Sequence, residues 1–392
     1  GMSLRRKILP FISVLPWLLL GACLPSGVLE DAPPILQASE FPPSSTPFQP
    51  LPTTALPHTP TSLPPTLSPT HTPTATLPPS PTPPAYTTLL FSGVIVPARC
   101  VQAAIDVRDD ADYIYENVRE LIQAADLAVG TLNATLSDYP PRTGCIFTYV
   151  LVGAARNADA LQRAGFDVMS VATNHIKNCG IGDCGDRAFF DTLDNLRRVG
   201  ILPVGAGSNL AEGMQPVLVT LNGIRFGIVS LGMVEPLAFA SETTPGIAAL
   251  TEANLRAAIA TARQMADVVI AMPHWGPEDT PNPNSYQLEF ARIAVEAGAD
   301  LVVGNHTHVV QAVQQINSIP VFYGLGNFVF DQDWDLAHQQ GVLLRVTFEG
   351  TRLAGYEFIP THVDGDGTVH LADEAEAAQI LERIQQASDL LK

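Results

Sequence analysis

Three polar clusters follow apolar runs of strand length: Asn174-His175, Pro273-His274-Trp275-Gly276 and Gly304-Asn305-His306-Thr307-His308. Neutral imidazole nitrogens and amide oxygens are good ligands for divalent cations, so the recurrence points to metal chemistry. Four of the nine histidines stand at such ends. A strand that stops at Asn or His delivers that side chain to the rim of a sheet, and α/β folds bind ligands in the crevice beyond the carboxyl ends of their strands. His306 and His308, two apart at a strand end, are expected to project to one side and meet one ion. His274 precedes Gly276, which allows close backbone approach. Glu278 is either a carboxylate that orients an imidazole from behind or a solvated charge. Asn174 offers an oxygen without negative charge, and His175 is a candidate proton donor; a helix-capping Asn is the plainer alternative. The His306 and His308 pair is the most specific of the three and His274 by itself is a weak signal; their common location gives all of them weight.

Such ends need a sheet-based core to bring them together. Apolar runs at 89–96, 126–130, 168–172, 217–221, 225–231, 268–271, 301–303, 321–323, 342–348 and 353–359 read as strands. Helical spacing at 113–124, 158–164, 189–199, 253–265, 287–297 and 375–391 reads as helices. Asn222-Gly223 signals a type I′ hairpin. Helix and strand alternate, which predicts an α/β domain with a mixed sheet, or two packed sheets, covered by helices.

The chain has 392 residues and a net charge of −18. The acidic balance argues against nucleic acid, which needs a basic footprint. Gly1 ahead of Met2 is set aside as a cloning remnant. Arg5, Arg6 and Lys7 precede the apolar run 8–20, which is too short to span a bilayer and ends in Leu20-Gly21-Ala22-Cys23. This resembles a bacterial lipoprotein signal, so residues 1–23 are expected to be a signal peptide with Cys23 lipidated, anchoring the protein outside the cytoplasm. About half of the 34 prolines lie in the nearly uncharged segment 24–86, expected to be an extended stalk. The remaining Cys100, Cys145, Cys179 and Cys184 fit disulfides in an exported chain better than a zinc site, because paired C-x-x-C spacing is absent. Cys179 and Cys184 enclose a short loop that could close locally, which would leave Cys100 with Cys145.

Asn174-His175 with Gly180, His274-Trp275-Gly276 with Glu278, Gly304 with His306 and His308, and the run Tyr323-Gly324-Leu325-Gly326-Asn327-Phe328-Val329-Phe330-Asp331 together resemble the CapA-type poly-γ-glutamate capsule biosynthesis family. The resemblance covers roughly 89–363. It implies a calcineurin-like metallophosphatase fold, a four-layer α/β/β/α sandwich, over 87–365, followed by a C-terminal helix in 366–392. It implies further that Asn174, His274 and His306 hold one divalent cation (manganese, zinc or iron), that His308 serves a neighbouring position, and that His175 protonates a leaving group. Glu278 and Asn327 would support the ligands. The expected partner is an exported anionic polymer or an envelope glycan. Three family carboxylates are replaced: Val94 stands after Ser92-Gly93, Asn133 ends Thr131-Leu132-Asn133, and Asn178 lies three residues beyond His175. With those anions gone, at most one tightly held ion is expected, and hydrolysis competes with a binding role. A solute-binding lipoprotein would need two similar lobes, and the sequence shows no such duplication.

Overall fold

Odd and even residues of the buried strands enter different cores, and this divides the molecule into layers. The computed structural model describes residues 85–179, 184–234 and 238–392. The expected signal with Cys23, the stalk up to residue 84, and Gly180, Gly182 and Asp183 lie outside the described residues.

The first sheet runs in the order Val369–Leu371, Arg352–Val363, Gln340–Glu349, Tyr86–Ile95, Leu127–Leu132, Val168–Ser170, Leu202–Val204, with Asn327–Val329 also paired to Tyr86–Ile95. The strands from Tyr86–Ile95 to Leu202–Val204 are parallel. Those on the other flank are antiparallel. The second sheet runs Val313–Ile316, Ile319–Phe322, Leu301–Val303, Val268–His274, Ile224–Gly232, Val217–Leu221. Its four inner strands are parallel and its outer two are closed by hairpins, one of them at Asn222-Gly223.

Leu89 and Phe91 of the first strand meet Phe226, Ile228, Val268 and Ile270 between the two sheets. The intervening Leu90 turns outward, into the core that holds Val101, Ile105, Leu161, Leu193 and Leu196 of helices Arg99–Arg108, Asn157–Ala164 and Arg187–Arg198. In the second sheet Val229, Leu231, Val269 and Ala271 turn to the other outer face, under Leu255, Ile259, Ala291 and Ala294 of helices Glu252–Met265 and Ser285–Ala297. Three cores separate four layers, so the fold is the α/β/β/α sandwich expected from the sequence. Each fully buried Leu, Ile or Phe contributes about 1.5–3 kcal/mol to holding those layers together.

Several elements differ from expectation. The helix expected at 113–124 is a 3₁₀ turn, Asp112–Tyr115, and a short helix, Arg119–Gln123. Between them the Asn117 side chain donates to the carbonyl of Val369 at 3.0 Å. Helix Arg99–Arg108 was not read, because Val101 and Ile105 alone make too short an apolar stripe. The C-terminal helix Glu374–Asp389 is not an appendage: Ile380 and Ile384 enter the inter-sheet core and Ala387 the outer one. The strand Val369–Leu371 also falls in the segment where only that helix was expected.

Candidate metal centre

The parallel strands of both sheets end on one side, and their carboxyl ends meet across the sandwich. Asn305 stitches them. Its amide donates to Thr131 Oγ1 at 2.9 Å and to the carbonyl of Ser92 at 3.3 Å. Gly304 lets this turn lie against Trp275, whose indole donates to the carbonyl of Tyr323 at 2.9 Å; a Cβ at 304 would collide with that indole. His274 is the last residue of Val268–His274, so the strand runs three residues beyond the apolar run 268–271 and holds the ring directly.

His306 and His308 do come together, with ring centroids 5.9 Å apart. Strand alternation is not the cause, however. Both lie beyond Leu301–Val303 with φ of 119° and 60°, a left-handed backbone that costs a non-glycine residue about 1–3 kcal/mol. The surrounding fold imposes that strain at the point where the imidazoles gather.

Asn174 Oδ1 lies 3.0 Å from His274 Nε2, and His274 Nε2 lies 3.2 Å from His306 Nδ1. Ligands held about 2.1 Å from one cation stand roughly 3.0–3.4 Å from each other, so both of these separations suit neighbouring ligands of one ion. A second donor set exists. Glu278 Oε1 is 3.7 Å from His306 Nε2 and 3.9 Å from His308 Nε2. Among the described residues, Glu278, His306 and His308 form the group of acidic and imidazole ligands close enough to share a metal. Glu278 therefore flanks the imidazoles rather than orienting one from behind. His306 belongs to both sets, and a neutral imidazole has one lone-pair nitrogen, so it serves one set at a time.

Electrostatics prepares the ligands. Burial holds His274 well below the usual imidazole value, and the neighbouring His306, His308 and His175 add to the effect. Burial likewise lowers His306 to about 3 and His308 to about 4. All three are neutral at physiological pH, as metal ligation requires. His308 Nδ1 faces Asn327 Oδ1 at 2.8 Å, while the Asn327 amide nitrogen donates to Gln332 Oε1 and to the carbonyl of His338, both at 2.9 Å. Those two acceptors fix the amide orientation, so His308 carries its proton on Nδ1 and turns the Nε2 lone pair to the site. The carboxyl of Glu278 is raised, first by burial and then by Asp279.

Residues 88–332 match the family of the bacterial capsule synthesis protein PGA_cap. The chain belongs to that family. It is 29% identical over 246 residues to the PGA biosynthesis protein CapA of Bacillus subtilis (strain 168), covering 62% of this chain and 63% of that protein. It is 30% identical over 256 residues to the capsule biosynthesis protein CapA of Bacillus anthracis, covering 63% and 60%. The chain thus spans less than two thirds of the length of these curated relatives. Among solved structures it is similar to a 5′-nucleotidase precursor from Thermus thermophilus, at 15% identity and a TM-score of 0.43 over 79% of this chain and 60% of that one.

Within this PGA_cap chain the three replaced carboxylates have distinct surroundings. Val94 is buried in the helix-side core and its amide donates to the carbonyl of Gly326 at 2.9 Å. Asn133 accepts the His175 amide at 3.0 Å and donates to Asn174 Oδ1 at 3.1 Å. Asn178 Oδ1 lies 2.8 Å from His175 Nδ1 and accepts the Leu151 amide at 2.8 Å. That backbone donor fixes the oxygen, so His175 carries its proton on Nδ1.

The cleft over the centre has a volume of about 150 Å³ and includes His175, Glu278 and His308 in its lining. Its outer wall holds residues that the sequence did not single out: Arg99, Phe147, Tyr149 and Trp334. Arg99 is buried against Asp331, the last residue of the quoted Tyr323-to-Asp331 run. His338 was also missed; its ring bridges Asp335 at 2.8 Å and Asp279 at 2.6 Å. The Asp335-x-x-His338 spacing signals only a helix start, since Asp335 caps Leu336–Gln339. Cys100 is bonded to Cys145 and Cys179 to Cys184.

Proposed function

We propose that this PGA_cap protein is a lipid-anchored, extracytoplasmic accessory of capsule or envelope polymer biosynthesis that holds one divalent cation and hydrolyses its substrate at the cleft. Family membership supports the capsule context. The basic, apolar and Cys23 pattern and the proline-rich segment support the anchor and stalk. The observation that carries the metal-dependent reading is the meeting of Asn174, His274 and His306 from three distant stretches of chain. That trio is preferred over the Glu278 set because its donor atoms stand closer together and Glu278 is half-exposed.

A cation there would supply Lewis-acid polarisation and a bound water acidic near neutral pH. His175, also in the cleft lining, is turned by Asn178 so that its neutral ring accepts a proton at Nε2. Donating one to a leaving group calls for the imidazolium, which an amide supports less well than a carboxylate does.

The test is metal analysis of the full chain after dialysis, with a screen against phosphoesters and poly-γ-glutamate. One divalent ion is expected, lost in His274→Ala and kept in Glu278→Gln, with turnover following the metal. Metal retention in His274→Ala refutes the assignment. The neutral residues at 94, 133 and 178 favour a second reading, a polymer-binding module on the same fold; polymer binding that survives chelation, without turnover, would establish it.

A further inference from the structure

We propose that the outer wall of the cleft is a subsite for an uncharged pyranose ring of an envelope glycan, formed by Phe147, Tyr149 and Trp334. The inference deepens the functional reading above by naming a substrate class for the same cleft.

Phe147, Tyr149 and Trp334 are 69%, 73% and 52% exposed, although aromatic rings of this size are ordinarily buried. They are contiguous: ring centroids are 5.5 Å apart for Phe147 and Tyr149, and 6.2 Å apart for Phe147 and Trp334. A contiguous exposed apolar patch beside a cleft marks a binding surface.

The patch is also held in place. The Cys100–Cys145 disulfide anchors its loop two residues before Phe147. Arg99 donates to the carbonyl of Thr148 at 2.9 Å and lies 5.6 Å from the Phe147 ring centroid. The Leu151 amide is tied to Asn178. Trp334 leans on His338, centroids 5.2 Å apart, and that imidazole is fixed between two aspartates. Rings ordered before a ligand arrives reduce the entropy cost of binding.

Charge chooses the ligand. Among the described residues lining the cleft, Arg99 is the one Lys or Arg, and Asp331 neutralises it. Glu278 and Asp279 add negative charge. A polyanion finds no unpaired cation at the rim, and neither do anionic lipid headgroups. A pyranose ring can lay its C–H face on an aromatic side chain and donate its hydroxyls to Glu278. The volume of about 150 Å³ is well below the roughly 300–1,000 Å³ of sites that engulf a whole small ligand, which suits a single ring presented by a longer chain.

The experiment titrates the full chain with soluble N-acetylglucosamine oligomers and with soluble β-glucan, followed by tryptophan fluorescence and calorimetry. At least one of these probes should bind. Trp334→Ala and Phe147→Ala should each weaken binding about tenfold or more, about 1.4 kcal/mol. Tyr86→Ala, an exposed aromatic at the opposite end of its strand, should leave it unchanged. His274→Ala should keep glycan binding, so loss of metal and loss of this subsite are separate results. Near-ultraviolet circular dichroism establishes that the variants fold. The proposal is overturned if neither glycan binds, if both rim variants bind as the parent does, or if Trp334 is needed instead for poly-γ-glutamate or for phosphatidylglycerol vesicles.

Discussion

Acidification from pH 7 to pH 5 should destabilise the metal-free protein by about 4 kcal/mol through two histidines alone. Burial holds His306 at about 3 and His308 at about 4, against an ordinary 6.5. In the unfolded chain each would titrate at that ordinary value. As pH falls below 6.5 the unfolded state takes up protons that the folded state refuses, so the equilibrium moves toward unfolding. The stability tied to these neutral rings is therefore complete above pH 6.5 and is lost as pH falls toward the folded values. The slope is about 1.36 kcal/mol per pH unit for each group, which gives about 2 kcal/mol each by pH 5. His274 is shifted in the same direction and adds to the loss.

Urea unfolding in excess chelator at the two pH values measures the effect. The His306→Gln, His308→Gln double variant removes both titrations while carboxylate contributions stay and cancel in the comparison. The parent should lose about 4 kcal/mol more than the variant over the same interval. Proton NMR of the parent rings gives a second reading that needs no variant: neither should titrate above pH 5. Equal pH slopes in parent and variant, or ring titration near 6.5, would refute the argument. A corollary concerns the cation. Rings already neutral release almost no protons when metal binds at pH 6, so calorimetry in buffers of different ionisation enthalpy should give the same heat.

Three further outcomes follow from single contacts. Asn178→Asp places a carboxylate against His175 Nδ1, now 2.8 Å from the amide oxygen, and favours the imidazolium; the alkaline limb of any phosphoester turnover should move to higher pH, and an unmoved limb removes His175 as the proton donor. Asp331→Ala leaves the buried Arg99 charge uncompensated and should cost about 3–5 kcal/mol by urea denaturation, with much of the loss recovered in the Arg99→Met, Asp331→Leu double variant. Cys100→Ser with Cys145→Ser opens a link between residues 45 apart and should cost about 4 kcal/mol, read as a lower unfolding midpoint.

The buried strands were legible because parallel strands covered on both faces read as continuous apolar runs; Val268-Val269-Ile270-Ala271 announces itself and carries His274 at its end. The common location of the three polar clusters followed from the rule that ligands gather beyond strand carboxyl ends, whereas grouping Asn174, His274 and His306 as one ligand set rests on the family resemblance. The backbone that brings His306 beside His308 did not, because a left-handed φ at histidine is imposed by packing and leaves no mark on the sequence. The cleft wall was equally hidden. Phe147 and Tyr149 sit in a loop without hydrophobic period, and their placement depends on a disulfide and on Arg99, which sits some fifty positions before them in the chain. Nothing in the sequence marks His338, because Asp279, one of its two partners, is 59 residues away.

The amide at 133 does more than fill the place of a lost anion. The His175 amide donates to Asn133, Asn133 donates to Asn174, and the same Asn174 oxygen faces His274. A carboxylate at 133 could accept the first bond but could not donate the second, so the chain of contacts is specific to an amide. The cradle it builds carries no charge. Two unit charges 4 Å apart near a protein surface repel by about 4 kcal/mol, and two divalent ions by about four times as much. A paired-metal centre needs bridging anions to offset that cost. Here the carboxylate that flanks the imidazoles is Glu278, half-exposed and 3.7 Å from the far nitrogen of His306, on the side away from the Asn174 and His274 contacts. His306, shared between the two donor sets, imposes the same limit independently. Repulsion and ligand count both favour the single cation proposed above over a pair.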